Sequence, residues 1–180
     1  QTIDLVHKNQ IDIISQTKGL DTIYYDRPLK LEVWYPANLD DDEQEMVTYE
    51  EVLGNAGSED RPLIPFSFLG RAKRDAKPNV ESGSYPLIIV SHGYTGSRYL
   101  FTYLTETLHS KGYVVVSIDH TESTFRDAGP FNSTLLNRSI DDLFVLNEID
   151  RLSQTKDSFL EGLVNADTTG LIGYSMGGYG

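Results

Sequence analysis

Three apolar runs of strand length limit the folds open to this chain. They are Pro86-Leu87-Ile88-Ile89-Val90-Ser91, Tyr113-Val114-Val115-Val116-Ser117-Ile118 and Thr169-Gly170-Leu171-Ile172-Gly173-Tyr174. The first two are continuous, without polar alternation, as expected of strands covered on both faces inside a parallel sheet. Two helical patterns lie between the runs. One extends from Arg98 to Ser110, with Leu100, Leu104 and Leu108 at four-residue spacing and Gly112 just past its end. The other extends from Ser139 to Leu152, with Ser139 as N-cap and Ile140, Leu143, Leu146 and Ile149 turned inward. Strand, helix, strand, helix, strand is the signature of βαβ units. Right-handed crossovers then set helices on both faces of a mostly parallel sheet, so the expected class is α/β.

The third run feeds Gly173-Tyr174-Ser175-Met176-Gly177, a G-x-S-x-G pattern. In a chain with 15 glycines the five residues alone say little, and a glycine-rich turn with a passive serine would read the same. The apolar strand before them changes the weight. A strand can pass into a helix through a turn too sharp for side chains two residues either side of the serine. Gly173 and Gly177 remove the Cβ atoms that would meet there. Such a nucleophile elbow raises the hydroxyl above the sheet and aims the next N–H at a developing oxyanion. Ser175 is then the candidate nucleophile and Met176 the first oxyanion donor.

Sites in such sheets form outside the carboxyl ends of the strands. Three loops are expected at that edge: His92–Ser97, Asp119–Arg138 and Ser175–Gly178. Acyl transfer wants a second amide on the oxyanion, from the loop after an earlier strand. Tyr94, following His92-Gly93, is at the right place, with its ring at the mouth of a pocket. Gly93 and His92 support that loop. A serine hydroxyl needs a base, normally a histidine held by a carboxylate, and in this chain order both follow the serine. Residues 176–180 are Met, Gly, Gly, Tyr and Gly, so neither partner is among them. His120 is expected to order its own loop, and His7 and His109 to lie on the surface. Asp119, His120 and Glu122 lack any recognised ligand spacing, and no metal site is expected.

The remainder is less regular. Residues 1–18 show no clean period. Thr22–Tyr25 and Leu29–Tyr35 flank Asp26-Arg27-Pro28, which reads as the turn of an N-terminal antiparallel hairpin. Residues 37–85 form an irregular insertion, a lid or a pocket wall. They hold an acidic run at 40–45, one or two helical turns over Thr48–Leu53, the apolar stretch Leu63–Leu69 and the basic Arg71-Ala72-Lys73-Arg74. The sequons at Asn132 and Asn137 fall in the expected 119–138 loop. Residues 153–167 are expected to be loop, with the last strand starting near Thr169.

The 180 residues suffice for one core, and 39% hydrophobic with 23% charged is an ordinary globular mixture. A net charge of −12 argues against nucleic acid as a partner. The absence of cysteine excludes disulfides and a cysteine nucleophile. No apolar run approaches the ~20 residues of a membrane span. Gln1 in place of Met favours a secreted or periplasmic chain with a trimmed start. An ending on the elbow is expected of the N-terminal portion of a single larger domain, with the remaining C-terminal part as its partner.

The chain resembles serine α/β-hydrolases of the platelet-activating-factor acetylhydrolase and dienelactone-hydrolase-like group. The residues that carry this are Asp26-Arg27, Glu32–Pro36, Pro86–Gly93, Gly112–His120, the helix from Arg138 to Ile149, and Gly173–Gly178. Gly93-Tyr94-Thr95-Gly96 is also similar to the oxyanion loop of bacterial cutinase-type polyesterases. The resemblance covers most of residues 20–180 outside the insertion. It implies an α/β-hydrolase fold and hydrolysis of short-chain or lipid-like acyl esters through an acyl-serine. It also implies no cofactor, with Tyr94 and Met176 as oxyanion donors. True dienelactone hydrolases use cysteine, so the serine argues for an esterase. Two other readings stay open: a non-catalytic module of the same fold that works with a partner chain, and a serine peptidase or acyltransferase.

Overall fold

The computed structural model describes residues 1–19, 21–39 and 46–180. The acidic run at 40–45 lies outside them. Among the described residues, seven strands and three α-helices follow in chain order: β1 Thr2–Ile11, α1 Ile13–Thr17, β2 Tyr24–Trp34, β3 Thr48–Leu53, β4 Ile64–Leu69, β5 Tyr85–Ser91, α2 Thr102–His109, β6 Val114–Asp119, α3 Phe131–Gln154 and β7 Val164–Gly173. A 3-10 helix, Ser175–Tyr179, closes the chain.

Five strands form one sheet in the order β1-β2-β6-β5-β7. The β6–β5 and β5–β7 pairs are parallel, and β1–β2 and β2–β6 are antiparallel. The apolar runs at 86–91, 113–118 and 169–174 are thus the three adjacent parallel strands. Their side chains alternate into two cores. Leu87, Ile89, Val114, Val116 and Ile118 meet Val145 and Ile149 of α3 on one face. Val90 and Val115 join Trp34, Tyr49 and Tyr99 on the other. β7 starts at Val164, earlier than expected, because residues 166–168 bulge out between the Pro86↔Asn165 and Leu87↔Thr169 pairs.

The antiparallel N-terminal pair exists, but its turn is not Asp26-Arg27-Pro28. β2 runs straight through those residues and pairs with β1, with His7 opposite Arg27 and Val6 opposite Pro28. β6 pairs only with Lys30–Trp34, so the half of β2 holding Pro28 has an unpaired flank. Proline's missing N–H is tolerated there. Helix α1, capped by Asp12, lies in the true connection.

Inside the insertion, Thr48–Leu53 is a strand rather than a helical turn. It pairs antiparallel with β4, Thr48 opposite Leu69 and Leu53 opposite Ile64. Tyr49 and Val52 are buried, and the Tyr49 hydroxyl accepts from Trp34 Nε1 at 2.8 Å and donates to Glu106 at 2.9 Å. The buried Glu106 carboxylate also accepts from the Arg71 amide, which docks the end of β4 onto α2.

Both long helices differ from their expected faces. α2 buries Thr102, Thr105 and Glu106, while Leu100 is exposed. α3 begins eight residues early, after Pro130, and buries Ser133, Thr134, Asn137, Arg138, Asp141 and Asp142 ahead of Val145 and Ile149. Leu136, Ile140 and Leu143 are exposed. The buried stripe is polar in its first half, so apolar periodicity chose the wrong face there. Both sequons lie in this helix, and Asn137 is buried.

Candidate active site

β7 ends at Gly173, and the chain turns at once into the 3-10 helix. Ser175 takes a left-handed φ of +53° and is exposed. A serine in that region is uncommon and costs about 1–3 kcal/mol. Glycine is needed on both sides. A Cβ at Gly173 would collide with the Gly177 carbonyl, and one at Gly177 with the carbonyl of Ser91 at the end of β5. Tyr174 N–H donates to that same Ser91 carbonyl at 3.0 Å, and Gly177 N–H to Tyr174 O at 2.8 Å. The turn is thereby held against the neighbouring strand. Gly177→Ala must move backbone to fit. A loss of about 2–3 kcal/mol is expected, read as a lower thermal midpoint.

The loop after β5 reaches the same place. A Cβ on Gly93 would stand 3.1 Å from the Ser175 Cβ, so the two loops touch. The side chains around it are aromatic. Tyr94 lies edge-on to Phe131 with ring centres 5.6 Å apart, and its hydroxyl donates to Gly129 O at 2.7 Å. Tyr174 packs edge-on against Phe101 at 5.5 Å. Among the described residues, neither the Tyr94 nor the Met176 amide donates a hydrogen bond to another group. The Met176 side chain is buried, and its sulfur accepts from Thr134 Oγ1 at 3.5 Å.

His92 is wholly buried, with Nδ1 2.6 Å from the Gly93 carbonyl. A carbonyl only accepts, so Nδ1 carries the proton. Burial holds this ring neutral, well below the usual histidine range, helped by the neighbouring His120 and Arg138.

Beneath the two loops runs a chain of buried polar groups. Arg27 of β2 donates through Nε and Nη2 to both oxygens of Asp141, at 2.8 and 2.9 Å. Asp141 Oδ2 lies 2.9 Å from His120 Nδ1, and His120 Nε2 lies 2.9 Å from Ser91 Oγ. Serine, histidine and aspartate are thus in line, but all three are buried, and among the described residues none of them hydrogen-bonds to Ser175. Burial lowers His120 to about 4 against the opposing pull of Asp141. Burial raises Asp141, but its bonds to His120 and Arg27 prevail, and it sits below the usual carboxylate range. His120 therefore joins β6 to β5 and α3 rather than ordering only its own loop.

Asp142, the next residue, has no well-formed hydrogen bond among the described residues, and its Oδ1 lies 3.7 Å from His120 Nε2. Burial, with the charge of Asp141 adding, raises it to about 7. A carboxyl raised on folding binds its proton more tightly in the folded state. Its penalty therefore grows as pH rises from near 4 to 7. Asp142→Asn is expected to stabilise the protein by about 2 kcal/mol at pH 8 and by nothing at pH 4, measured by urea unfolding. An equal effect at both pH values contradicts this.

The sequence-predicted residues fall into two groups. Ser175, Met176, Gly173, Gly177, Gly93, Tyr94 and His92 come together at the carboxyl ends of β5 and β7. Asp119, His120 and Glu122 diverge: Asp119 binds the Arg98 amide at 2.5 Å, His120 turns to Ser91 and Asp141, and Glu122 lies 3.9 Å from Arg27. His7 stacks on Phe144 at 4.0 Å rather than standing free. Sequence reasoning missed Arg27, Arg138, Asp141 and Asp142. One spacing pointed at Arg27, which alternates with Leu29 and Leu31 on a buried strand face; Arg138, Asp141 and Asp142 carried no such signal.

A family model described as platelet-activating factor acetylhydrolase, isoform II matches residues 24–136. Cutinase est1 of Thermobifida alba is 30% identical over 100 residues, 56% of this chain and 30% of that protein. The cutinase of Thermobifida fusca is 28% identical over 100 residues, 56% of this chain and 28% of its own. A ferulic acid esterase from Streptomyces cinnamoneus superposes with a TM-score of 0.63 at 26% identity, covering 98% of this chain and 52% of that one. The match thus spans less than a third of the cutinases and about half of the esterase. The sheet, its crossovers and the turn after β7 are those of an α/β-hydrolase fold.

Proposed function

The chain belongs to the platelet-activating factor acetylhydrolase isoform II family, and on that premise we propose that it carries the nucleophile and oxyanion donors of a carboxylic-ester hydrolase. The observation that carries this reading is Ser175: exposed, held at φ +53°, and fixed between two glycines that admit no side chain. Strain kept at one exposed hydroxyl is what a nucleophile elbow requires.

Ser175 Oγ attacks the ester carbonyl carbon, and the carbonyl electron pair moves onto oxygen. The Tyr94 and Met176 amides, which donate to no group among the described residues, are placed here as the donors to that oxyanion. Collapse re-forms the carbonyl as the Ser175 hydroxyl proton, taken up by a general base during attack, passes to the departing alkoxide; the alcohol leaves behind an acyl-serine that water cleaves by the same proton route. The base and acid follow the serine in this motif. Residues 176–180 offer neither, so the reading covers the nucleophile and the oxyanion donors.

The substrates proposed are short-chain or lipid-like acyl esters. The aromatic groups near Ser175 support this, as does the likeness to cutinases and to a ferulic acid esterase. The 37–85 segment is read as a wall of the acyl-binding side. β3–β4 and α2 line an apolar groove of about 940 Å³ with Phe66, Phe68, Leu69, Leu100 and Tyr103; Ser175, Tyr94 and Met176 do not line it, so it is read as a neighbouring surface and not as the acyl pocket itself. A non-catalytic module is favoured by one observation: His92 and His120 bond elsewhere, not to Ser175.

A fluorophosphonate probe separates the two readings. The full-length protein is expected to take up one phosphonyl group, located at Ser175 by peptide mass. No labelling, or labelling that persists in Ser175→Ala, removes the esterase reading.

A further inference from the structure

Arg138 projects from α3 into the space behind the loop after β5. It is completely buried, and its Nη2 donates to two groups, the Gly93 carbonyl at 3.4 Å and Ser123 Oγ at 2.5 Å. Its Nε and Nη1 have no partner among the described residues. A buried guanidinium is costly unless its surroundings require it, and the groups it does bind belong to one structure. Gly96 N–H donates to Ser123 O and Phe125 N–H to Gly96 O, both at 3.1 Å, so the 93–97 loop leans on the 123–125 segment. Arg138 ties the two from below.

The Gly93 carbonyl matters because of what shares its peptide plane. That bond is trans, and a trans peptide points its C=O and N–H in opposite directions. The carbonyl faces inward, accepting from His92 Nδ1 at 2.6 Å and from Arg138. The Tyr94 N–H therefore points away from Arg138, and among the described residues no acceptor takes it, while the loop that carries it meets Ser175 at Gly93. We propose that Arg138 is a positioning residue of the oxyanion site: by holding the Gly93 carbonyl inward, with its charge against that oxygen, it aims and polarises the Tyr94 amide. Hydrogen-bonding a cation to one end of a peptide strengthens the donor at the other. The guanidinium keeps its proton at neutral pH although burial lowers it to about 10. This rests on the reading of Tyr94 as an oxyanion donor and adds the group that sets it.

The test uses the full-length protein, with Arg138→Met, Arg138→Lys, Ser123→Ala and Ser175→Ala side by side. Loss of a whole oxyanion donor costs about 10²–10³ in kcat. His92 still holds the carbonyl in Arg138→Met, so kcat is expected to fall about 10- to 100-fold, with KM within about threefold. A trifluoromethyl ketone, whose serine adduct carries the oxyanion, should lose affinity by the same factor as kcat/KM. Arg138→Lys keeps one charged donor and should recover most of the rate. If Arg138→Met does not fold, Ser123→Ala, which releases the guanidinium from its second anchor, should lower kcat several-fold at unchanged KM. Inactive Ser175→Ala beside variants of Arg138 and Ser123 with wild-type kcat and ketone affinity overturns this proposal and leaves the esterase reading intact. A fall in kcat without the matching loss of ketone affinity also overturns it. Wild-type turnover by Ser175→Ala overturns the esterase reading itself.

Discussion

Ser175→Ala in the full-length protein is expected to lower kcat on p-nitrophenyl acetate and butyrate by on the order of 10⁵-fold, while thermal unfolding hardly moves. The rate effect follows from the chemistry. Without Oγ there is no acyl-enzyme, and what remains is the help of two amides and binding, about 10³-fold over water. The small stability effect follows from the backbone. Alanine meets the same left-handed φ of +53° that serine does, and the exposed hydroxyl has no hydrogen bond among the described residues to lose. The contrast is diagnostic. A passive turn serine would leave both quantities unchanged, and a structural serine would move the midpoint and not the folded-state rate. Turnover within a few-fold of wild type in a folded Ser175→Ala sinks the mechanism.

How much of this was legible beforehand depended on how far apart the interacting residues lie. The sharp turn at Ser175 was readable because everything it needs sits within five residues, two glycines and a serine after an apolar strand. β5 and β6 were readable because a strand buried on both faces leaves a continuous apolar run; β7 was readable from its short apolar run alone, since Leu171 and most of its residues are exposed. The β3–β4 pair was not, since Tyr49 and Val52 are buried only because Trp34, Phe68 and Glu106 come to meet them. Nor was the true course of β2. A turn signal at Asp26-Arg27-Pro28 is a local preference, and the Arg27–Asp141 pair, 114 positions apart, overrides it. The face of α3 was misread for the same reason. Leu136, Ile140 and Leu143 carry the apolar period, yet the helix turns Arg138, Asp141 and Asp142 inward, where Asp141 meets the Arg27 charge from β2 and the His120 ring that follows β6. Polar residues on a buried stripe have no periodic mark that distinguishes them from a solvated face.

That polar stripe is where the second large effect is expected. Asp141→Ala should cost about 3–5 kcal/mol of folding free energy, a large part of the 5–15 kcal/mol of a typical domain. Asp141 is the acceptor for both Arg27 donors and for His120 Nδ1. Removing it leaves a fully buried guanidinium whose remaining side-chain hydrogen-bond partner is the Tyr25 hydroxyl, with the Thr121 carbonyl beside it. It also frees the ring that holds Ser91 Oγ. Acid should do slowly what the substitution does at once. His120 sits at about 4, below its unfolded value of 6.5, so the unfolded chain binds the extra proton between those values. Stability from this histidine is therefore whole above pH 6.5 and is lost as pH falls toward 4. Asp141, itself depressed, loses its share at still lower pH. Asp142 pulls the other way over much of the same range, so the acid limb of wild type should look shallow. In Asp142→Asn that opposition is gone, and the His120 limb should stand out as a steeper fall in stability between pH 6.5 and 4. An Asp142→Asn profile parallel to wild type across that interval would mean that the two groups are not opposed as their positions require.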